Sequence, residues 1–136
     1  MRKYPVLHQL DRQAINEYPV PGTDLVLEKG TRIVIPAYAI QNDPEIFPEP
    51  EKFDPERFSP EEIQKRHPMT WLPFGEGPRN CIGLRFGKMQ VKIGLISLLR
   101  KYSFSVCDKT AIPLEIDMQQ FLMSAKGGIY LKVDKI

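Results

Sequence analysis

Trp71-Leu72-Pro73-Phe74-Gly75-Glu76-Gly77-Pro78-Arg79-Asn80-Cys81-Ile82-Gly83 is the stretch on which the fold turns. It gathers two aromatics, three glycines, two prolines, an arginine and a cysteine, then runs straight into an apolar helical pattern. A cysteine at the mouth of a helix meets the positive end of the helix dipole, and the N–H groups of the first turn point back toward its sulfur. Both effects favour the thiolate, the form that binds a metal. Gly75 and Gly77 allow the backbone to turn and to approach a flat partner without a Cβ in the way. Pro78 stiffens the loop and withholds one N–H.

From Ile82 to about Arg100 the spacing predicts a long helix. Ile82, Phe86, Met89, Ile93 and Ile96 fall on one stripe, and Leu95, Leu98 and Leu99 widen it, which predicts a mostly buried helix. Gly83 and Gly87 sit four apart and leave a bare strip on one face. Two glycines inside a helix cost roughly 1 kcal/mol each relative to alanine, and a large flat partner pressed on the strip would offset that. A porphyrin bound through Cys81 meets both demands. The polar strip of the helix, Arg85, Lys88 and Lys92, is wholly basic. It is either a solvated face or a docking surface for an acidic partner.

Phe74-x-x-Gly77-x-Arg79-x-Cys81-x-Gly83 resembles, position for position, the haem-binding signature of the cytochrome P450 family of haem-thiolate monooxygenases. Pro55-Glu56-Arg57-Phe58 is similar to the family's meander motif, and Arg2-Lys3-Tyr4-Pro5 to the end of the helix carrying its Glu-x-x-Arg motif. The wording from Thr70 to Gly87 is most similar to the insect microsomal branch, and the resemblance covers essentially the whole chain. It implies a mixed α+β chain, the C-terminal portion of a mainly helical fold and part of a single domain over residues 1–136. Its expected order is the end of a helix, β-hairpins, a meander loop, the Cys loop, a long proximal helix and a final β-hairpin. Upstream helices and a membrane anchor would then lie outside this sequence.

The resemblance also assigns roles. Cys81 would be the axial ligand of haem b, with Phe74, Gly75, Gly77, Ile82, Gly83 and Gly87 against the macrocycle. Arg79 and Arg12 would bind propionates, although by spacing alone Arg12 reads as a solvated strand-end charge. His8 would be a polar neighbour of a propionate or simply exposed. Arg2 and Arg57 would share an ion-pair network with a glutamate that falls before Met1. Removing one partner of a buried pair costs about 3–5 kcal/mol, so independent folding and turnover are not expected of these residues alone. Val6, Leu7, Phe121 and Leu122 would face an apolar substrate, and Arg85, Lys88 and Lys92 an NADPH-dependent flavoprotein reductase. The implied activity is insertion of one oxygen atom from O2 into small apolar molecules, xenobiotics or endogenous lipids, at the cytoplasmic face of the endoplasmic reticulum. Two other readings stand beside it: a haem-thiolate protein without oxygenase activity, and an inactive structural module in which Cys81 is a buried thiol.

Composition bounds these readings without choosing among them. The chain has 136 residues, 42% hydrophobic and 26% charged, the balance of an ordinary globular domain. A net charge of +2 gives no electrostatic footprint for nucleic acid. Thirteen prolines, concentrated between Pro36 and Pro78, predict a stiff, irregular middle section. Cys81 and Cys107 read as two free thiols, and no zinc-type spacing occurs. No apolar run is long enough to span a membrane.

Along the chain, Met1–Tyr4 reads as the last turn of a helix stopped by Pro5, and Val6–Ala14 as extended. Pro21-Gly22 is a turn. Asp24–Glu28 and Thr31–Ile35 flank Lys29-Gly30 and predict a hairpin. Ala37–Gln41 is a helical turn ended by Asn42-Asp43-Pro44, and Phe53 and Phe58 are expected core anchors of the meander. Ser59-Pro60-Glu61-Glu62 has the form of an N-cap, a proline at the first helical position and an acidic first turn. Tyr102–Val106 reads as a strand. Ile112–Ile116 and Ile129–Val133 are the expected arms of a last hairpin with its tip at Met118–Met123.

Overall fold

The computed structural model describes residues 1–117 and 119–136. Two compact units divide the chain, Met1–Pro73 and Phe74–Ile136.

In the first unit, β1 (Leu10–Gln13) pairs antiparallel with β4 (Arg32–Ile35), in register Leu10↔Ile35 to Gln13↔Arg32. β2 (Tyr18–Pro19) pairs with β3 (Val26–Leu27). The expected hairpin between Asp24–Glu28 and Thr31–Ile35 therefore does not form. Gly22, at φ 77°, makes a tighter turn, and the Val20 N–H donates to the Leu25 carbonyl at 2.8 Å. That turn commits β3 to β2, so β4 takes β1 instead. Lys29-Gly30 serves as a corner between them: the Gly30 N–H, at φ 91°, donates to the Ala14 carbonyl at 2.7 Å.

Met1–Tyr4 is not helical. The segment is fixed by side chains. α1 (Ala37–Asn42) carries Gln41, which is fully buried. Its amide nitrogen donates to the Arg2 carbonyl at 2.9 Å and its oxygen accepts from the Leu72 N–H at 2.7 Å. Arg2, 7% exposed, donates to the Gln41 carbonyl at 2.7 Å and to the Pro50 carbonyl. Tyr38 N–H donates to the His8 carbonyl at 2.9 Å, tying α1 to the segment before β1.

Phe47 is the buried aromatic of the meander, and the guanidinium carbons of Arg2 and Arg66 stand 5.4 and 4.8 Å from its ring centroid. Phe53, expected as an anchor, is 93% exposed. Phe58 is half-buried with its ring 5.3 Å from that of Trp71. Both expected anchors lie among prolines and carboxylates; Phe58 has one guanidinium near its ring, that of Arg66 at 5.7 Å, and Phe47 has two. Asp54 caps a 3-10 turn, Pro55–Phe58, and Ser59 caps α2 (Pro60–Lys65) by accepting from the Glu62 N–H at 3.4 Å. A second 3-10 turn, Pro68–Thr70, leads to Trp71.

In the second unit, a 3-10 turn (Gly77–Arg79) precedes α3 (Leu84–Leu99). β5 (Tyr102–Ser105) pairs antiparallel with β6 (Lys132–Lys135), from Tyr102↔Lys135 to Ser105↔Lys132. The expected pairing of Ile112–Ile116 with Ile129–Val133 is replaced by a short ladder around Ile116↔Ala125. In it Asp117 N–H donates to the Ser124 carbonyl and Lys126 N–H to the Glu115 carbonyl, each at 2.9 Å. Pro113 has no N–H to donate, and Gly127 and Gly128, at φ 74° and 86°, turn the chain away before it reaches β5. Of the expected tip, Met118 lies outside the described residues.

α3 buries none of its residues, contrary to the expectation of a mostly buried helix. Its apolar residues Phe86, Met89, Ile93 and Ile96 are instead exposed. Among the described residues no helix is long and apolar enough to cross a membrane.

Gln41→Leu, close in size but without the amide, strands the Leu72 N–H and the Arg2 carbonyl. Each buried group left unpaired costs about 1–3 kcal/mol. Denaturant unfolding of the protein carrying this sequence should show a lowered midpoint with an unchanged slope, whereas the exposed Phe53→Ser should leave the midpoint where it is.

Candidate functional site

The loop from Phe74 to Cys81 is closed on itself. The Cys81 N–H donates to the Phe74 carbonyl at 2.8 Å. Gly75 (φ 69°) and Gly77 (φ 79°) take the left-handed backbone this closure requires. The Glu76 carboxylate accepts from the Gly77 N–H at 3.1 Å, and the Asn80 N–H donates to the Gly77 carbonyl at 3.1 Å, so the 3-10 turn is held at both ends. The Cys81 carbonyl then accepts from the Leu84 N–H at 3.2 Å and starts α3.

Cys81 is a free, exposed thiol. The helix begins two residues later than its expected start at Ile82, with Gly83 as the N-cap at φ −85° and ψ 9°. Gly83 is therefore outside the helix and carries no interior glycine penalty; only Gly87 of the expected pair does. Among the described residues, the N–H groups of Ile82 and Gly83 have no acceptor, so orphan donors do stand at this helix mouth as expected.

The two glycines still share a face, and its occupants can be named. A Cβ built on Gly83 would stand 3.8 Å from the Cys81 Sγ. One built on Gly87 would stand 3.4 Å from Phe74 Cε1 and 3.8 Å from Cζ. The strip is thus not wholly open: sulfur lies along its first step and the Phe74 ring along its second. Phe74 is half-buried, and the Lys88 Nζ lies 5.8 Å from its ring centroid.

The remaining candidates fall as follows. Arg79, Ile82, Arg85, Lys88 and Lys92 are exposed. Arg12 is half-buried on β1 and, among the described residues, donates to the neighbouring Asp11 carbonyl at 2.8 Å. Val6, Phe121 and Leu122 are exposed and Leu7 is half-buried. A cavity of about 400 Å³ lies in the first unit, lined by Gln13, Ile15, Tyr18, Leu27 and Ile33 among others, with neither Val6 nor Leu7 in its wall.

Arg2 and Arg57 do meet in one electrostatic environment. Burial first, and then the Arg57 charge, lower the Arg2 guanidinium pKa from its ordinary value, with Glu51 opposing. Arg57 donates to the Glu49 carbonyl at 2.9 Å, while its Nε is buried without a hydrogen bond. The nearest carboxylate oxygen, on Asp54, is 3.9 Å from that Nε, too far for a hydrogen bond. Gln41, Phe47 and the Lys88–Phe74 contact were missed in the sequence. Only the i, i+3 placement of Lys88 after Arg85 hinted at any of them, and it pointed to solvent.

Cys107 differs from Cys81 in its surroundings. The Thr110 hydroxyl, 3.5 Å from the sulfur, and then the Lys109 backbone N–H hold its thiol pKa below the ordinary value. The hydroxyl has one proton and shares it with the Tyr130 carbonyl at 2.6 Å.

The family model described as "Cytochrome P450" matches residues 1–132. Among curated proteins of Drosophila melanogaster, the chain is 56% identical over 136 residues to "Probable cytochrome P450 6a14". It is 54% identical over 134 residues to "Probable cytochrome P450 6a13" and 50% identical over 137 residues to "Cytochrome P450 6a2". These alignments take in 100%, 98% and 100% of this chain, which spans 27% of the length of each relative.

Thr110→Val removes the hydroxyl from Cys107, so its thiol pKa rises toward the ordinary value. Alkylation of Cys107 followed by peptide mass spectrometry should have its half-maximal rate at higher pH in the variant. Because the depressed pKa favours the folded state only above the unfolded thiol pKa, that contribution is lost as pH falls through the folded value.

Proposed function

Because the chain belongs to the cytochrome P450 family, we propose that Cys81 is the axial thiolate ligand of haem b in a monooxygenase, with residues 1–136 as the C-terminal part of one domain. The observation that carries this reading is the exposed Cys81 sulfur, held by a closed loop and standing 3.8 Å from the place where Gly83 lacks a side chain. A Cβ there would narrow the approach to the sulfur. The donor chemistry suits iron as well. A thiolate is a soft ligand, and no group of three His, Cys, Asp or Glu that could hold a metal ion gathers among the described residues. A porphyrin brings its own nitrogens and asks the protein for one axial donor. The fit supports haem.

When bound, thiolate-ligated haem supplies the oxygen chemistry: sulfur electron density favours O–O cleavage, one oxygen atom enters the substrate, and the other leaves as water with two electrons from NADPH. The chain's own residues do the rest. Cys81 must be deprotonated to ligate. The Phe74 ring, on the same strip as the sulfur, limits water beside it. Arg79, an exposed guanidinium in the 3-10 turn, and Arg12 bind propionates by charge-assisted hydrogen bonds. Gly75 and Gly77 let the loop turn, Ile82 and Gly83 complete the contact surface, and Gly87 contributes to it through the Phe74 ring that lies over it. Arg2 and Arg57 hold the meander through a carboxylate supplied from elsewhere in the protein; the Arg57 Nε, buried without a hydrogen bond and 3.9 Å from Asp54, supports that role.

Val6, Leu7, Phe121 and Leu122 are the substrate contacts, and their apolar character selects small apolar molecules. The basic residues Arg85, Lys88 and Lys92 receive a flavoprotein reductase, and an anchor outside this sequence places the protein on the endoplasmic reticulum. The apolar surface of α3 is covered by the remainder of the same domain.

The test uses the protein carrying this sequence, reduced and exposed to carbon monoxide. A Soret band strongly shifted to the red is expected, and Cys81→Ala should abolish the shift while leaving the protein folded. An unshifted band in the folded wild type would overturn the reading. If the basic strip docks the reductase, its association rate should also fall steeply with salt.

A further inference from the structure

Lys88 is placed by the reading above among the charges that receive a redox partner, yet its ammonium is turned toward the chain's own Phe74. The ring has two contacts on α3. Its edge, at Cε1 and Cζ, lies over the side-chain-free position of Gly87, and the Nζ of the next residue lies 5.8 Å from its centroid. One helical turn earlier, the same strip carries the Cys81 sulfur beside Gly83. A cation at that distance is attracted by the negative face of the ring, and the ring backbone is tied to Cys81 by a 2.8 Å hydrogen bond.

We propose that Gly87 and Lys88 are positioning residues: they seat the Phe74 ring beside the Cys81 sulfur, and Lys88 acts on the ligand through that ring. The inference rests on haem ligation by Cys81. Physically, a cation held near a thiolate favours the state with more negative charge, which is the ferrous one, and so raises the reduction potential. A displaced ring would admit water to the sulfur and loosen this coupling. The room over Gly87 is limited. At 3.4 Å an alanine Cβ makes ordinary van der Waals contact with the ring, and a leucine adds three carbons beyond a Cβ whose nearest neighbour is already the ring edge.

The experiment is a double-substitution cycle on the holoprotein, read as the ferric–ferrous midpoint potential at low and high salt. Lys88→Met should lower the potential and Lys88→Arg should restore it. In a Phe74→Leu background, Lys88→Met should have much less effect, at both salt concentrations. Equal shifts in the two backgrounds would overturn the proposal and leave Lys88 a docking charge. The Gly87 series gives a readout independent of haem: the alkylation rate of Cys81 in the metal-free protein. Gly87→Ala should match wild type and Gly87→Leu should differ several-fold, while identical rates throughout would show that the ring is not seated there. The carbon monoxide spectrum of the wild type separates both outcomes from a failure of haem ligation itself.

Discussion

One hydrogen bond organises the second unit. The Cys81 N–H to the Phe74 carbonyl, 2.8 Å, closes the loop and fixes where the cysteine leaves it. Gly75 and Gly77 are needed because the closed path passes through left-handed backbone that a side chain would disfavour. Glu76 and Asn80 satisfy the polar groups that the turn exposes. The consequence is a thiol facing outward at the start of α3, with the side-chain-free Gly83 next to it.

The first unit is organised differently, around buried polar groups. Gln41 joins Met1–Tyr4, α1 and the approach to Trp71 through three backbone groups, and Arg2 joins the start of the chain to the meander. Such a network is costly to leave half made. The Arg57 Nε is the member of it without a hydrogen bond among the described residues. The chain spans 27% of the length of its relatives.

Local chemistry was legible in the sequence. Ser59 and Pro60 announced the start of α2, Gly75 and Gly77 announced a turn before Cys81, and the apolar period announced α3 to within two residues. Partner choice was not legible. Pro21-Gly22 and Lys29-Gly30 both carry turn signals, and nothing local says that the first makes a hairpin while the second makes a corner. Phe47 and Phe53 occupy similar proline-rich surroundings, and their opposite burial depends on guanidiniums brought from Arg2 and Arg66, remote in sequence. Lys88 read as either a solvated or a docking charge because a helical pattern shows which face a residue shares, not that a loop aromatic will lie over it. Pro113 and the Gly127-Gly128 pair were visible as breakers, yet the strand that Lys132–Lys135 would choose was not.

The most direct measurement of the central claim is X-ray absorption at the iron edge of the purified holoprotein carrying this sequence. The account predicts one sulfur atom in the first coordination sphere of iron, replaced by an oxygen or nitrogen scatterer in Cys81→Ser and unaffected in Cys107→Ser. A sphere built from nitrogen and oxygen alone in the wild type, or a sulfur that survives loss of Cys81, would contradict it.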